Sequence, residues 1–364
     1  MSDLNLLYTD VEDDLRSSVR DLLTDRCAPT DVAAAYDGRS AVDGLWKALA
    51  VDMGLAGLLV PEERGGAGAS AREAAVVLEE LGRTVAPVPF LTSAVVATAV
   101  LADTDGDLLD QLAAGERTAA LAVPLSTAPD GAIPAVRAAG GRLTGTVSSV
   151  AGALESDVLL VPATTGDGLS VHAVRTTEVT ADPVVSLDMS RQLADIGLND
   201  VAGTQVIADA EPVVRRALRL GAALLASEQV GIARWCLEET VGYLKQRRQF
   251  GRVVGGFQAL KHRLADVAIG VDSGAAAARN AAAAAAAEDP DFEVAAAVAQ
   301  AYCGDLAVTA AEEAVQLHGG IGMTWEHPAH LYLKRAKADQ LAFGAPGAHR
   351  ARLAELVDLP GAPA

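Results

Sequence analysis

The sequence predicts a multidomain α+β protein with an N-terminal α-helical domain, a middle β domain of barrel or sandwich type, and a C-terminal four-helix bundle. Three observations lead to this prediction. Apolar residues recur at helical spacing early in the chain, short apolar runs separated by turn residues follow, and long helical patterns complete it. We place the domains at residues 1–115, 116–208 and 209–364.

The N-terminal domain is predicted from residues that begin helices. Asp10 is the expected N-cap of a helix that reaches Arg26. Ser70 and Glu73 form the capping-box pattern S-x-x-E, which predicts the start of another helix. Two further helical patterns lie at 91–101 and 107–114.

The two later domains are predicted from changes in periodicity. Short runs with turn residues between them are typical of strands in a small sandwich or barrel, and they lie at 119–123, 142–150, 157–162 and 169–174, with more to residue 206. Long helical patterns with short loops favour an antiparallel bundle, and they lie at 216–247, 259–287, 291–317, 327–339 and 347–357.

Charge and composition exclude several classes of partner. The 364 residues include 29 basic and 48 acidic side chains, a net charge of −19, so neither nucleic acid nor an anionic membrane is expected as the main partner. The alanine-rich run at 275–287 is too weakly hydrophobic for membrane insertion. Three scattered cysteines without a CxxC pair, and no signal peptide pattern, indicate a cytoplasmic protein with no disulfides; we expect no metal site.

One basic stretch, YLKQRRQFGRVVGGFQALKHRLAD at 243–266, stands out in this acidic chain. Arg247, Arg248 and Phe250 lie within four residues and precede a glycine-rich break. Arginines at a helix end beside an aromatic ring and glycines indicate a seat for a phosphate-bearing nucleotide. The alternative is a solvated helix end stabilised by the helix dipole, with the phenylalanines in the core.

A second informative stretch, EEAVQLHGGIGMTWEHPAHLYLKRAK, occupies residues 312–337. A helix ends at His318, and Gly319 and Gly320 follow. Glycine after a helix is an ordinary stop signal. A glycine pair also lets a ligand approach the backbone, whose N–H groups can bind an anion.

These two stretches, together with VPEERGGAGAS at 60–70 and ELGRTVAPVPFLTS at 80–93, resemble the acyl-CoA dehydrogenases over essentially the whole chain. The resemblance implies an oligomeric FAD-dependent oxidoreductase that dehydrogenates an acyl-CoA thioester between its α and β carbons. It implies that Arg247 binds the FAD pyrophosphate and that a neighbouring subunit holds most of that FAD. The other FAD-binding residues that it implies are Gln249, Phe250, Phe257, Gln258, Gln316, Leu317, His318, Gly319 and Gly320.

The sequence departs from the family at the catalytic base. The family's Glu, in the pattern Y-E-G-T, is matched by Phe343, and the alternative Glu position is matched by Gly221. Neither residue can accept a proton, so the catalytic residue is unknown. Glu228 and Asp339 are weak candidates for a relocated base, and helix packing or an ion pair is the alternative for each.

The flavin-side segments of the middle domain depart as well. Residues 123–131 (VPLSTAPDG) stand where the family has T-E-P-x-x-G-S-D, and residues 147–151 (VSSVA) stand where it has K-x-W-I-T. The family's adenosine-side residues are thus present, whereas its flavin-side residues and base are not.

This asymmetry resembles the shorter, base-lacking subunit of the actinobacterial α2β2 acyl-CoA dehydrogenases, some of which act on steroid side chains. A second acyl-CoA dehydrogenase subunit would then supply the base. The alternatives are a self-sufficient homo-oligomeric enzyme with a relocated base and a non-catalytic FAD- or CoA-binding scaffold. An electron-transfer flavoprotein is a candidate electron acceptor, and the acyl group stays open.

Overall fold

The N-terminal part of the chain is helical, as the apolar spacing predicts. The structure is a computed structural model that describes residues 4–36, 44–166 and 168–360. The helices of this part are α1 (Asp10–Arg26), α2 (Pro29–Ala35), α3 (Leu45–Lys47), α4 (Ala71–Thr84), α5 (Thr98–Leu101) and α6 (Leu108–Ala113). Short π-helical and 3₁₀ segments lie between them, at Ala48–Asp52, Leu55–Gly57, Glu62–Arg64 and Phe90–Ala97.

Capping boxes begin two of these helices. The Ser70–Glu73 box predicted for α4 is confirmed, because the Glu73 carboxylate accepts a hydrogen bond from Ser70 N–H at 2.9 Å. The predicted N-cap of α1 is wrong. Thr9, not Asp10, caps α1, since its hydroxyl accepts from Glu12 N–H and Glu12 accepts from Thr9 N–H. Asp10 is the first helical residue, where its charge favours the helix dipole.

The middle part forms one hydrogen-bonded sheet of eight strands. The strands are β1 (Ala119–Leu121), β2 (Val136–Ala139), β3 (Arg142–Ala151), β4 (Val158–Thr165), β5 (Gly168–Arg175), β6 (Thr180–Val184), β7 (Leu193–Ala202) and β8 (Thr204–Ile207). Their order is β6-β7-β3-β2-β4-β5-β8, and β1 pairs with β4 in parallel. Alternate residues of β3 and β7, such as Leu143, Val147 and Ile196, point into a core of their own.

The C-terminal part is a bundle of long helices around α7 and α9. Its elements are α7 (Glu211–Gln246), the hairpin strands β9 (Arg248–Gln249) and β10 (Arg252–Val253), α8 (Gln258–Ala286), α9 (Phe292–His318), α10 (Ala329–Leu341) and α11 (Pro346–Leu356). Short 3₁₀ segments lie at Val254–Gly256 and Gly319–Met323.

Two glycines join the N-terminal helices to this bundle. A Cβ atom on Gly82 of α4 would lie 2.1 Å from the carbonyl oxygen of Glu228 in α7, and one on Gly231 would lie 2.0 Å from that of Glu79. Any side chain at either glycine would collide with backbone. The α4 and α7 backbones therefore touch, and the base-candidate segment of α7 lies at this crossing.

One helical stretch, Phe292–Met323, is long and apolar enough to cross a membrane by length and composition alone. Within the fold, 72 % of its most apolar window is buried, as in the core helix of a helical bundle.

Candidate cofactor and active site

The break after α7 is a tight hairpin that presents an aromatic ring to solvent. β9 pairs with β10 in antiparallel register, and Phe250 and Gly251 form the turn with φ of +52° and +73°. Such a turn favours Asn, Asp or Gly at its first position, and a phenylalanine there is strained. Phe250 is nevertheless 86 % exposed, so burial does not compensate for the strain. A strained, exposed aromatic residue indicates a ligand-binding surface.

Three arginines of this hairpin have no acidic partner among the residues that the structure describes. Arg247, Arg248 and Arg252 are exposed, and none forms an ion pair within the described ranges of the chain. The Arg252 guanidinium lies over the Phe257 ring, 4.4 Å from its centroid, and Phe257 meets Phe250 edge to face at 6.2 Å. In a chain of net charge −19, such a group of cations beside two rings has the charge and the apolar surface that a polyanion with an apolar end requires.

The second predicted stretch contacts α7 just before this hairpin. α9 stops at His318, and Gly319 takes a φ of +64° that favours glycine. A Cβ atom on Gly320 would meet no atom within 4 Å, so packing inside the chain does not require glycine there. His318 stacks on Tyr243 of α7, with ring centroids 4.5 Å apart, and this stack joins the two stretches. The structure therefore brings together the two segments that the sequence singled out.

The predicted residues of the two stretches differ in their exposure. Phe257 and Leu317 are partly buried, and His318 is buried in this chain beneath Tyr243. A direct contact of His318 with FAD stays a prediction. The exposed members of the predicted set are Arg247, Gln249, Phe250, Gln258, Gln316, Gly319 and Gly320.

Glu239, His318 and His327 each place one potential ligand atom within 4.8 Å of the others. The His318 Nδ1–H donates to the Ala314 carbonyl at 2.7 Å, which leaves its Nε2 as a free acceptor. His327 Nδ1 accepts from Ala329 N–H at 3.2 Å, so its neutral ring carries the proton on Nε2. Burial lowers the His327 pKa to about 4, which keeps the ring neutral. This tautomer argues against a metal centre, and we interpret the rings as packing support for the hairpin.

The two family base positions, Phe343 and Gly221, face each other. A Cβ atom on Gly221 would lie 3.0 Å from the tip of the Phe343 ring, which is only 5 % exposed. Phe343 and Gly344 have φ of +52° and +98°, so the backbone is strained there too. The Phe343 N–H donates to the Leu125 carbonyl at 2.7 Å, and His349 Nε2–H donates to the Phe343 carbonyl at 2.9 Å. An aromatic ring thus fills the space between the two base positions.

The two eroded flavin-side segments also meet in the structure. Leu125 N–H donates to the Ser149 carbonyl at 3.0 Å, and Pro124 forms an isolated bridge with Val150. Beside them, a crevice of about 560 Å³ separates the middle domain from α10. Its walls include Leu125, Ser149 and Arg191. The segments thus converge, but residues 147–151 carry neither the Trp nor the Thr of the family's K-x-W-I-T pattern.

The weak base candidates, Glu228 and Asp339, lie in a buried ionic network. Glu228 accepts from Arg191 at 2.7 and 2.8 Å and from Arg335 at 2.6 Å, while Asp339 accepts from Arg191. Glu228 is 1 % exposed and Asp339 is fully buried. Asp188 pairs with Arg335 at 2.6 Å. Of these network residues, Arg191 and Asp188 line the crevice, whereas neither candidate carboxylate, Glu228 or Asp339, lies in its wall.

The network shifts the pKa values of the two candidate carboxylates, Glu228 and Asp339, in opposite directions. Burial alone would raise the pKa of Glu228, but Arg191 and Arg335 outweigh burial and hold that pKa below its usual range. Burial and the Glu228 charge raise the pKa of Asp339 to about 8. With Asp339 protonated, two arginines balance the carboxylates of Glu228 and Asp188. Sequence reasoning missed Arg191, because its partners are distant along the chain and no local pattern marks them.

Comparison with known proteins decides the family. The family described as acyl-CoA dehydrogenase, N-terminal domain, matches residues 9–105, and the acyl-CoA dehydrogenase, C-terminal domain, matches residues 212–357. A curated relative, acyl-CoA dehydrogenase IpdE2 of Mycobacterium tuberculosis, is 36 % identical over 325 residues, which cover 88 % of this chain and 89 % of the relative. The chain belongs to the acyl-CoA dehydrogenase family.

Two solved structures of acyl-CoA dehydrogenase type share the whole fold. The ChsE4-ChsE5 complex from Mycobacterium tuberculosis has a TM-score of 0.86 and 27 % identity, covering 99 % of this chain and 100 % of that one. A variant of the Tcur3481-Tcur3483 steroid ACAD has a TM-score of 0.84 and 30 % identity, covering 96 % of this chain and 98 % of that one. The predicted order of helical, β and helical parts is confirmed.

Acyl-CoA dehydrogenases use FAD, and the chain fits one end of that cofactor. Arg247 and Arg248 offer unpaired cations for a pyrophosphate, Phe250 and Phe257 offer ring faces for an adenine, and Gly320 leaves the backbone open. The base positions do not fit the flavin-end chemistry, because no carboxylate stands there. The donor set therefore matches the adenosine and pyrophosphate half of FAD.

Proposed function

We propose that this chain is a partner-dependent subunit of a heteromeric acyl-CoA dehydrogenase. It supplies the adenosine and pyrophosphate contacts of FAD, and a second acyl-CoA dehydrogenase chain supplies the flavin contacts and the catalytic base. The observation that carries the proposal is the pairing of Phe343 with Gly221, which removes the carboxylate from both base positions.

The chemistry of the reaction explains why this observation matters. The reaction requires a carboxylate close to the acyl α carbon to remove a proton, and bound FAD would supply the hydride acceptor for the β hydrogen. In this chain, Arg247 binds and orients the pyrophosphate, and the Phe250 and Phe257 rings exclude water from the adenine end. Glu228 cannot replace the missing base in place, since two arginine side chains bind both of its oxygens.

The relatives support a two-chain assembly and a substrate class. The ChsE4-ChsE5 complex and the Tcur3481-Tcur3483 steroid ACAD each combine two different chains in their names, and this chain shares their fold from end to end. By this similarity we propose an acyl-CoA of fatty-acid or steroid side-chain type as substrate. We also propose a cytoplasmic location and an electron-transfer flavoprotein as the electron acceptor.

Co-expression tests the proposal directly. Three preparations are compared. The first is this chain alone, and the second is this chain co-expressed with a longer acyl-CoA dehydrogenase that has a Glu at either family base position. The third, the longer chain alone, is the control. We expect the pair to hold one FAD per two chains and to reduce an artificial electron acceptor with an acyl-CoA. Flavin absorbance and a panel of acyl-CoA substrates are the measurements.

The main alternative is a self-sufficient homo-oligomer with a relocated base. Asp339 is the residue in its favour, because one of its carboxylate oxygens has no hydrogen-bond partner among the described residues. Stoichiometric FAD in the lone chain, with turnover of an acyl-CoA, would overturn the proposal and establish this alternative. If the lone chain and the co-expressed pair both bind FAD and neither converts an acyl-CoA, the non-catalytic scaffold is the function that remains.

A further inference from the structure

Two spaces lie on opposite sides of one wall in this chain. A cavity of about 30 Å³ lies at the base positions and is lined by residues that include Thr92, Val96, Leu121, Leu218 and Phe343. The crevice of about 560 Å³ between the middle domain and α10 lies beyond it. Leu125 lines both spaces, Phe343 lines the cavity, and Ala342 lines the crevice. The Leu125–Phe343 pair is therefore the wall between them.

The backbone holds this wall in place. The 2.7 Å hydrogen bond from Phe343 N–H to the Leu125 carbonyl closes it, and the His349 hydrogen bond fixes the Phe343 carbonyl from the other side. A Cβ atom on Gly344 would lie 2.9 Å from the Ala128 side chain, so the turn packs closely against Ala128 and disfavours any side chain at 344. Positive φ strains the backbone of a phenylalanine, and the surrounding contacts must offset this strain.

The ring direction follows from that backbone. With φ at +52°, the Phe343 ring points at Gly221 and comes within 3.0 Å of where a Cβ would stand. A Cβ atom at 221 would press on the ring, which would have to move by a few tenths of an ångström. The cavity that remains has room for about one or two water molecules and not for an acyl chain.

We propose that the Phe343 ring is a plug that closes the acyl site in this chain's own fold. The inference rests on the proposed function, because the family base positions mark where the acyl α carbon would lie. The acyl chain of the substrate then enters only the site of the partner chain. An assembly of the two chains would accordingly bind one acyl-CoA per pair.

Removal of the ring should join the two spaces. In Phe343→Ala, the 30 Å³ cavity gains the volume of the ring and opens into the crevice. Leu218→Ala is the matched control, because it enlarges the same cavity from the far side and leaves the Phe343 wall intact. Both variants create an apolar cavity of the kind that binds benzene. Only Phe343→Ala gives an acyl chain a path from the crevice.

The experiment compares binding of hexanoyl-CoA with binding of coenzyme A by isothermal titration calorimetry, with FAD in every sample. We expect Phe343→Ala to bind hexanoyl-CoA ~10-fold or more tightly than coenzyme A, and the wild type and Leu218→Ala to show no such preference. Benzene should raise the melting temperature of both variants and not that of the wild type. If Phe343→Ala fails to fold, Phe343→Leu keeps most of the packing and should show a smaller preference of the same sign.

Three results would overturn the plug. One is a wild type that already prefers hexanoyl-CoA tenfold or more, in which case the site is open. Another is an equal preference in Phe343→Ala and Leu218→Ala, which would mean that Phe343 is no wall. The third is a folded Phe343→Ala or Phe343→Leu variant that shows no preference for hexanoyl-CoA over coenzyme A. If FAD binding requires the partner chain but the acyl-CoA binding test gives one of these results, only the plug is disproved. The two proposals can therefore fail separately.

Discussion

At the scale of single residues, two phenylalanines mark the two ends of the site. Phe250 and Phe343 share a φ of +52°, and each precedes a glycine with positive φ. Phe250 is exposed at the end that fits adenosine, whereas Phe343 is buried where the family base would stand. The backbone is strained at both places, but only the first ring is left available for a ligand. Residue by residue, the chain carries the side chains that the family resemblance predicts for the adenosine end of FAD and has no carboxylate at either base position.

Arg247 gives a prediction at this scale. In the assembled pair, Arg247→Ala should raise the Kd for FAD about 10- to 100-fold, since charge-assisted hydrogen bonds contribute roughly 1.5–3 kcal/mol each. Arg247→Lys should have an intermediate effect, because a lysine keeps the charge but not the two-pronged geometry. Quenching of flavin fluorescence measures the Kd. Arg137→Ala, an exposed arginine on β2, is the control. Equal Kd values for Arg247→Ala and Arg137→Ala would contradict the assigned role.

At the scale of elements, a substitution in the β9–β10 hairpin should change the stability of the chain and its FAD binding in opposite directions. Asn tolerates positive φ at the first turn position far better than Phe. Phe250→Asn should therefore increase the free energy of unfolding of the lone chain by about 1 kcal/mol. The same change should weaken FAD binding in the pair, because it removes the exposed ring. Urea unfolding and flavin titration together check it, and a loss of stability would show that Phe250 is a packing residue.

The elements themselves could largely be predicted, whereas their contacts could not. The C-terminal helices follow from apolar spacing, and α4 follows from the Ser70–Glu73 box. Strand β2 was missed because its four residues carry no clear alternation. The hydrogen bonds of Arg191 to Glu228 and Asp339 span 37 and 148 residues, and only tertiary packing creates them.

The same limit applies to the site. The hairpin arginines and the glycine pair were visible in the sequence, since each lies in one short segment. The stack of Tyr243 on His318 and the ring of Phe343 against Gly221 depend on helices that are distant along the chain. The sequence showed that the base was missing, and the structure showed that its place is filled.

At the scale of the whole molecule, the buried ionic network joins all three parts of the chain. Tyr36, the residue after α2, donates to Asp188 of the middle domain at 2.9 Å, Asp188 pairs with Arg335 of α10, and Arg335 pairs with Glu228 of α7. Fully buried pairs of this kind are costly to break singly, because the remaining charge is left uncompensated. The network therefore fixes how the middle domain lies on the bundle, beside the crevice that Arg191 lines.

Asp339 makes the stability of this arrangement depend on pH. Burial and the Glu228 charge raise its pKa in the folded chain to about 8, against about 3.9 in the unfolded chain. Between these values the unfolded state loses the proton and the folded state keeps it. The free energy of unfolding should thus fall as pH rises, by up to about 1.4 kcal/mol per pH unit, and level off above the folded pKa.

Asp339→Asn should remove this slope, because the amide cannot ionise and still accepts from Arg191. Urea unfolding of both proteins between about pH 7 and about pH 8 measures the difference, in a window above the ordinary histidine pKa of about 6.5. Glu228 and Asp188 do not interfere, since their lowered pKa values place their effect on the acidic side of that window. Parallel curves for the wild type and Asp339→Asn would show that Asp339 is ionised in the folded chain. The network would then carry three carboxylates against two arginines, and the charge balance proposed for the domain junction would be wrong.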